Sequence, residues 1–417
     1  MEQLAEIKIG SSQIFINFFS KPRELLLGSI EDIAYSKTKK LELELYNTRN
    51  IKIVSSRHQF KDSPINWSNW RQFNSLEENH KKRKDVYDEF IAKTNYIAPI
   101  VEQRFSLIKK VYRDLGEIHG LDPVSSYLEQ ENISYDQLIE FIKSMGKKAK
   151  KPFREALTEV SKDVLNIQPE YYDDFYFFRN KIYSDIQRNF SGIDPINEAK
   201  KTLTNMDFDL SKIHFDTQDR KDKYPSPICF FVRIPDDIRI SYKRESSIFD
   251  FQACFHETGH AMHASSVDPN REYWNKYKIS MGIAEIFSTF FERSTKNSQY
   301  IHSLSGSAKA NEIVINKLIA RTHFMELFFV TFYTANSLMK LGYWQQNLSV
   351  AKACKVYSEL IKEHTGFEVP GEYWLLHHIP PESIMYVPSY LLAAVRAAEL
   401  EDYLKLKFGD LWWRKSR

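Results

Sequence analysis

Hydrophobic and polar positions change their spacing along the chain. Residues 41–46, LELELY, alternate strictly, and the turn-forming NTRN separates them from IKIV at 51–54. This pattern predicts an N-terminal β-hairpin. From about residue 76, apolar residues recur three and four positions apart, which is typical of amphipathic helices. SPICFFVRIP at 226–235 and DIRISYK at 237–243 then predict two short strands in a mainly α-helical chain.

Two helix starts in the predicted helical region carry capping residues. Ser134 lies three residues before Gln137, which is the spacing of a capping box, and Asp194 stands directly before Pro195. A side-chain oxygen at the N-cap accepts hydrogen bonds from the first backbone N–H groups, and proline at the next position has no N–H to leave unpaired. We therefore expect a helix to begin directly after each cap.

The first of the two strands before residue 250 has a proline near each end. Pro227 and Pro235 cannot donate a backbone hydrogen bond, whereas a central strand needs every N–H for its ladder. We therefore expect this strand at the edge of a small sheet. A helix is expected directly after the sheet, in a stretch that holds three of the twelve histidines of the chain.

That stretch, CFHETGHAMH at 254–263, contains the pattern His-Glu-x-x-His in His256, Glu257 and His260. No proline interrupts it, and residues four apart on a helix project from the same face. His256 and His260 could therefore bind one zinc ion, with Glu257 beside it as the general base. Five letters of this kind also occur by chance, so a third ligand is required.

The third ligand is expected at Glu285, in the helix-like stretch GIAEIFSTFFERS at 282–294. A glutamate among isoleucine and phenylalanine side chains is costly to bury unpaired, and a cation supplies the partner. Glu292 lies two turns further along the same face, where it could orient a metal-binding histidine. The alternatives are that Glu285 is salt-bridged or reaches solvent. His263 is expected to hydrogen-bond or pack rather than to bind the metal.

These motifs resemble those of the M3 metallopeptidases, the family of thimet oligopeptidase and oligoendopeptidase F. The resemblance rests on HETGHAMH, on the step of 25 residues from His260 to Glu285, and on AEIFSTFFE ending in Glu292. It implies that one zinc ion per chain is bound by His256, His260 and Glu285, with Glu257 as the general base. It also implies that a peptide substrate pairs with the edge strand.

The same resemblance implies that an imidazole and phenols from a C-terminal segment stabilise the oxyanion. LHHIPPESIMYVPSYLLAAV at 376–395 matches that segment, with His378, Tyr386 and Tyr390 as candidates and His377 as the alternative to His378. The two tyrosines are four residues apart, whereas the thimet branch places its pair three apart. The sequence therefore leaves open which hydroxyl group acts.

Composition argues against several other classes of protein. The chain has 58 basic and 55 acidic residues, so no strong charge favours nucleic acid or an anionic membrane. Its three cysteines lie far apart, which argues against a disulfide framework or a thiolate metal site. The longest apolar stretch, 324–335, is too short to span a bilayer, and no secretory signal is visible. We therefore expect a cytoplasmic protein without nucleic-acid or membrane partners.

The resulting prediction is a mainly α-helical, two-lobed metallopeptidase with a deep substrate channel and a small β-sheet next to the active-site helix. Residues 1–75 are expected to form a β and irregular segment, 76–205 a helical lobe, and 206–417 the catalytic zinc lobe. The predicted activity is hydrolysis of internal bonds in short peptides. A zinc carboxypeptidase of similar helical fold and a catalytically lapsed peptide-binding protein are the alternatives.

Overall fold

Helices dominate the structure, as the sequence predicts. It is a computed structural model that describes residues 22–52, 56–220, 223, 227–243, 248–304, 310–377 and 384–414. The α-helices in chain order are α1 (Pro22–Leu27), α2 (Ile30–Asn47), α3 (Trp70–Leu76), α4 (His80–Lys93), α5 (Ala98–His119), α6 (Pro123–Glu131), α7 (Tyr135–Val164), α8 (Pro195–Asn205), α9 (Ile248–Ser265), α10 (Tyr273–Tyr277), α11 (Met281–Ser294), α12 (Ser298–Leu304), α13 (Glu312–Gln345), α14 (Val350–Thr365), α15 (Tyr373–His377) and α16 (Tyr386–Phe408). Within these ranges, no helix has both the length and the apolar character to cross a membrane.

Short turns and two small sheets complete the described fold. Single turns of 3₁₀ or π-helix lie at Thr48–Lys52, Thr94–Tyr96, Tyr171–Asp173, Phe175–Asn180, Lys181–Tyr183 and Gln187–Phe190. The strands are β1 (Gln59–Phe60), β2 (Ser63–Pro64), β3 (Ile213–Asp216), β4 (Ile228–Arg233) and β5 (Asp237–Ser241). β1 and β2 pair antiparallel, and the second sheet has the order β3-β5-β4. β4 is therefore an edge strand, as its prolines predict, and α9 follows the sheet.

The predicted N-terminal hairpin is wrong, because residues 41–46 lie inside α2 and not in a strand. α2 buries one face at helical spacing, made of Ile30, Ala34, Thr38 and Leu45. Leu43 is 60% exposed, whereas a strand would place it on the same face as Leu45. Leucine and glutamate are strong helix formers, and packing of α2 on α5 overrides the alternating pattern. Residues 53 and 54, also assigned to the hairpin, lie outside the described residues.

Both predicted helix caps are present. The Ser134 hydroxyl accepts a hydrogen bond from the Gln137 N–H at 3.3 Å, and the Gln137 side chain accepts one from the Ser134 N–H at 3.0 Å. The Asp194 carboxylate accepts hydrogen bonds from the N–H groups of Ile196 and Asn197, the second and third residues of α8. Local sequence therefore decides where α7 and α8 begin.

Buried apolar side chains form separate clusters that α16 connects. The largest cluster joins α2, α4, α5 and the start of α7 to the second half of α13 and to α14. A second cluster joins α8, the three-stranded sheet, α9, α11 and the end of α16. Leu391 and Leu392 belong to the first cluster and Ala397 to the second. α16 therefore links the helices around residues 30–142 to the part of the chain that carries the histidine motif.

Asp174 is a partly buried carboxyl group beside the first cluster. Burial raises its pKa to about 6, although the hydroxyl groups of Tyr87 and Tyr373 donate hydrogen bonds to it. Since the folded-state pKa lies above the ordinary value of 3.8, the folded protein holds this proton more tightly than the unfolded chain does. The resulting stabilisation is complete below about pH 4 and is lost as the pH rises through about 6.

We expect Asp174→Asn to remove this pH dependence. Relative to the variant, the wild-type free energy of unfolding should fall by on the order of 3 kcal/mol between pH 4 and pH 7. Urea unfolding of both proteins at the two pH values measures the difference. A difference that stays constant over this range would contradict the raised pKa of Asp174.

Candidate metal centre

The helix α9 presents two histidines on one face. His256 and His260 are one turn apart, and their ring centroids are separated by 5.0 Å. Burial lowers the pKa of His260 to about 4, so this imidazole is neutral at physiological pH, as a metal ligand must be. The local geometry that the His-Glu-x-x-His spacing predicts is present.

A glycine between the two histidines allows another helix to approach α9 closely. A Cβ atom at Gly259 would lie 2.4 Å from the Phe287 carbonyl oxygen and 2.6 Å from the Ser288 Cα. Both atoms belong to the backbone of α11, so any larger residue would push the two helices apart. This role of Gly259 is not among the sequence-based predictions, although a glycine inside a helical pattern is a signal for close packing.

This packing brings Glu285 to the two histidines. Its Oε2 atom lies 3.3 Å from His256 Nε2 and 3.7 Å from His260 Nε2. One ligand atom from each of the three residues lies within 4.8 Å of the others. The Glu285 side chain is only 3% exposed; burial opposes its charge, but the two imidazoles lower its pKa to about 2.

Glu292 binds the other nitrogen of His256. Its Oε2 atom lies 2.9 Å from His256 Nδ1, and its Oε1 atom pairs with Lys296 Nζ at 2.8 Å. This contact orients the ring so that Nε2 faces Glu285, as an outer carboxylate does in metal sites. Burial opposes protonation of His256, but the two carboxylates raise its pKa to about 10.

The residues present therefore fit a divalent ion. Two imidazole nitrogens and one carboxylate oxygen form the donor set of many catalytic zinc sites. Glu285 and Glu292 converge on His256 and supply the negative charge that a cation requires. His256, His260 and Glu285 could hold the metal, and Glu292 could orient His256 from behind.

The Glu257 carboxylate is held by the edge strand. Its Oε2 atom accepts a hydrogen bond from the Cys229 N–H at 2.8 Å. Burial raises the pKa of Glu257 to about 7. This contact is not among the sequence-based predictions, since it depends on how β4 lies across α9.

The same contact shows which backbone groups of β4 face away from the sheet. The Cys229 N–H points to Glu257 and not to β5, and alternate residues of an edge strand face the same side. Phe231 therefore has its N–H and C=O on the open side as well. The Ile234 N–H donates to the Tyr277 hydroxyl at 2.8 Å, which closes the open edge at that end.

A cavity of about 350 Å³ lies between β4, the second half of α9 and the segment 275–284. Glu257, His260 and Glu285 line it. Its other walls are largely apolar and include Ile228, Phe231, Ile234, Val267, Ile279 and Met281. Lys276 also lines it and donates a hydrogen bond to the Pro269 carbonyl oxygen at 3.2 Å.

The structure brings one of the predicted C-terminal residues to the cluster. The Tyr386 hydroxyl donates a hydrogen bond to Glu285 Oε1. Tyr390 lies one turn further along α16, with its ring 4.6 Å from the ring of Tyr386. His378 lies outside the described residues. His263 packs against Phe287 with ring centroids 4.4 Å apart, which agrees with the packing role expected for it.

Several peptidases are similar to this chain in sequence or structure. Mitochondrial intermediate peptidase of Arabidopsis thaliana is 25% identical over 238 residues, which cover 49% of this chain and 33% of that protein. This chain thus spans about a third of the length of that curated relative. A solved structure described as a putative oligoendopeptidase F has a TM-score of 0.67 at 13% identity, over 97% of this chain and 74% of that one.

Structures of carboxypeptidases are similar as well. The M32 carboxypeptidase from Deinococcus radiodurans R1 has a TM-score of 0.52 at 13% identity, over 92% of this chain and 81% of that one. At such identities the similarity shows the fold alone. It confirms the predicted mainly helical metallopeptidase fold with a small sheet beside the motif helix.

A family match extends over more than half of the chain. The family described as carboxypeptidase Taq (M32) metallopeptidase matches residues 102–319, a range that includes His256, Glu257, His260 and Glu285. The match confirms the class that the sequence predicts, a metallopeptidase. The likeness of the motifs to the M3 family is a finer point that this match does not address. The chain belongs to the carboxypeptidase Taq (M32) metallopeptidase family.

Proposed function

We propose that this protein is a zinc-dependent peptidase that hydrolyses internal bonds of short peptides, as the M3 enzymes that its motifs resemble do. The convergence of His256, His260 and Glu285 beside Glu257 is the observation that carries the proposal. In the proposed site, the first three residues hold the ion and Glu257 acts on the attacking water.

The bound ion would polarise the scissile carbonyl group and make a water molecule more acidic. Glu257 accepts a proton from that water at Oε1, since Oε2 is held by the Cys229 N–H. The water oxygen attacks the carbonyl carbon, and Glu257 then passes the proton to the amine nitrogen as the C–N bond breaks. Cys229 thus fixes the orientation of the carboxylate throughout the reaction.

The open edge of β4 supports binding of an extended peptide. The N–H and C=O groups of Phe231 face the cleft and would pair with the backbone of the substrate. A side chain next to the cleaved bond would then enter the apolar cavity along α9. We therefore expect a preference for peptides with a bulky apolar residue beside that bond, because such a residue would bury its surface against Val267, Ile279 and Met281.

Tyr386 is proposed to donate a hydrogen bond to the oxyanion, with His378 as a second donor. Its hydroxyl lies against Glu285, whereas Tyr390 contacts the ring of Tyr386. We expect Tyr386→Phe to lower kcat by about 100-fold with little change in KM, because the donor acts on charge that develops in the transition state. Steady-state kinetics of Tyr386→Phe and the matched variant Tyr390→Phe measure this. A larger loss in Tyr390→Phe would assign the role to Tyr390.

Carboxypeptidase activity is the second candidate function. The matched family is described as a carboxypeptidase family, and Lys276 lines the cavity. Among the described residues, the ammonium group of Lys276 contacts the Pro269 carbonyl oxygen, which is a neutral acceptor. Its ammonium group could therefore bind the terminal carboxylate of a substrate, with the last side chain in the apolar cavity.

A pair of nonapeptides, one with a free and one with an amidated C-terminus, separates the two activities. We expect cleavage of an internal bond in both peptides at similar rates, and loss of both activities when zinc is removed by a chelator. Mass spectrometry of the products identifies the bonds. Release of single residues from the free peptide only, with a raised KM in Lys276→Met, would instead establish a carboxypeptidase.

A further inference from the structure

We propose that Glu131 is a positioning residue, which holds the helix that carries Glu285 in register with the helix that carries Tyr386. The inference rests on the proposed roles of those two residues. Glu131 is the last residue of α6 and lies far from the histidine motif in sequence. It touches neither the candidate ligands nor the substrate cavity, and acts through the two helices.

The Glu131 carboxylate joins three helices. Its side chain has no exposed surface, its Oε1 atom accepts a hydrogen bond from the Gly282 N–H at 2.7 Å, and its Oε2 atom accepts one from Arg396 Nη1 at 2.9 Å. Gly282 belongs to α11 and Arg396 to α16. The two oxygen atoms thus connect the Glu285 helix to the Tyr386 helix through α6.

Glu131 contacts α11 in its first turn, where backbone N–H groups need hydrogen-bond acceptors from outside the helix. The first N–H groups of a helix have no partner within it. Ser280 satisfies the Ile283 N–H with its hydroxyl at 3.2 Å, and Glu131 satisfies the Gly282 N–H. A negative charge at this end is also favoured by the helix dipole. Glu285 lies only three residues beyond Gly282, so the contact anchors the turn that carries it.

Gly282 makes the close approach of Glu131 possible. A Cβ atom at Gly282 would lie 2.3 Å from Glu131 Oε2 and 2.6 Å from Oε1. The φ angle of Gly282 is not in the left-handed region, so its backbone conformation is open to any residue. A side chain at position 282 would displace the Glu131 carboxylate from the Gly282 N–H and from Arg396. Glycine at this position therefore allows both hydrogen bonds.

The contact with α16 is made at two points. Besides the Arg396 pair, the Ser389 hydroxyl donates a hydrogen bond to the Tyr127 hydroxyl of α6 at 3.2 Å. Ser389 and Arg396 are two turns apart on one face of α16. Tyr386 lies one turn before Ser389 and reaches Glu285 Oε1 with its hydroxyl. α6 thus contacts α16 between the two tyrosines, at Ser389, and again beyond them, at Arg396.

A buried carboxylate of the same kind elsewhere in the chain provides a control. Asp173 is also fully buried, accepts hydrogen bonds from Arg83 at 2.6 and 2.9 Å, and accepts one from a backbone N–H at 2.9 Å. Within the described residues, its hydrogen-bond partners are His80 and Arg83 of α4 and Glu170 directly before the turn, and not residues of α11 or α16. Asp173→Asn should therefore lower stability as Glu131 variants do, without affecting the metal site.

Zinc affinity, measured by chelator competition, and kcat for a peptide test the proposal. We expect Glu131→Ala to weaken zinc binding roughly 10-fold and to lower kcat to a similar extent, which is the size of effect seen for residues behind metal ligands. Glu131→Gln should recover part of both losses, since its amide oxygen can still accept from Gly282. Asp173→Asn should change neither quantity. Wild-type zinc affinity and kcat in Glu131→Ala would overturn the proposal.

Hydrogen exchange and a double-mutant cycle test the role of Glu131 without measuring peptide cleavage. Neither result can be explained by a loss of stability in a single variant. In metal-free protein, hydrogen exchange of residues 281–294 should increase in Glu131→Ala and not in Asp173→Asn. Gly282→Ala should weaken zinc binding in the wild-type background but cause no added loss in Glu131→Ala, because the clash is gone. Unchanged exchange, or additive losses, would refute the role of Glu131. A wild-type protein that binds no zinc would refute the proposed function alone.

Discussion

Replacing Glu257 with glutamine should lower kcat for peptide cleavage by about 10³-fold while the protein still binds one zinc ion per chain. The amide cannot accept the proton of the attacking water, so general base catalysis is lost. Its oxygen can still accept the hydrogen bond from the Cys229 N–H, so the geometry around the site is kept. The expected loss is therefore chemical and not structural.

Zinc content, thermal unfolding and peptide kinetics of Glu257→Gln separate these contributions. Glu272→Gln, which changes an exposed glutamate outside the cavity, is the matched control and should behave as the wild type. Equal turnover in Glu257→Gln and wild type would reject Glu257 as the base. Peptide binding without turnover in the wild type itself would favour a lapsed, peptide-binding protein.

Replacing Glu285 with alanine should weaken zinc binding by more than about 100-fold, since even carboxylates behind a ligand contribute 10- to 100-fold. Glu285 offers the only carboxylate oxygen in the three-residue cluster, and its Oε2 atom faces both imidazoles. Its loss leaves two ligands that cannot retain the ion at low concentration. Hydrolysis should disappear at limiting zinc.

Chelator competition gives the affinity, and thermal unfolding with and without zinc gives an independent measure. Zinc should raise the unfolding temperature of the wild type much more than that of Glu285→Ala, because stabilisation by a ligand follows its affinity for the folded state. Glu292→Gln should fall between the two proteins, because it only orients His256. Wild-type affinity in Glu285→Ala would mean that a different group completes the site.

Sequence patterns predicted the secondary structure correctly where it depends on residues close together in the chain. Helix starts at α7 and α8 follow from caps within three residues, and the edge position of β4 follows from two prolines. The alternation at 41–46 misled because alternation describes one face of a strand, and α2 buries a different set of residues against α5. Leucine and glutamate, which make up the alternating pattern, are also strong helix formers.

The sequence predicts that His256 and His260 share one face of a helix, because residues four apart lie one turn above each other. It also identified Glu285 as a carboxylate that needs a partner, since its neighbours are apolar. These conclusions depend on contacts within one or two helical turns.

Which groups contact those side chains depends on the packing of separate helices and strands. Gly259 lets α11 approach α9, which sets Glu285 against both imidazoles, and the Cys229 N–H fixes Glu257. Glu131 reaches α11 from 151 residues earlier in the chain. Such contacts depend on how whole helices and strands pack, and no spacing in the sequence encodes the distance between residues on separate elements.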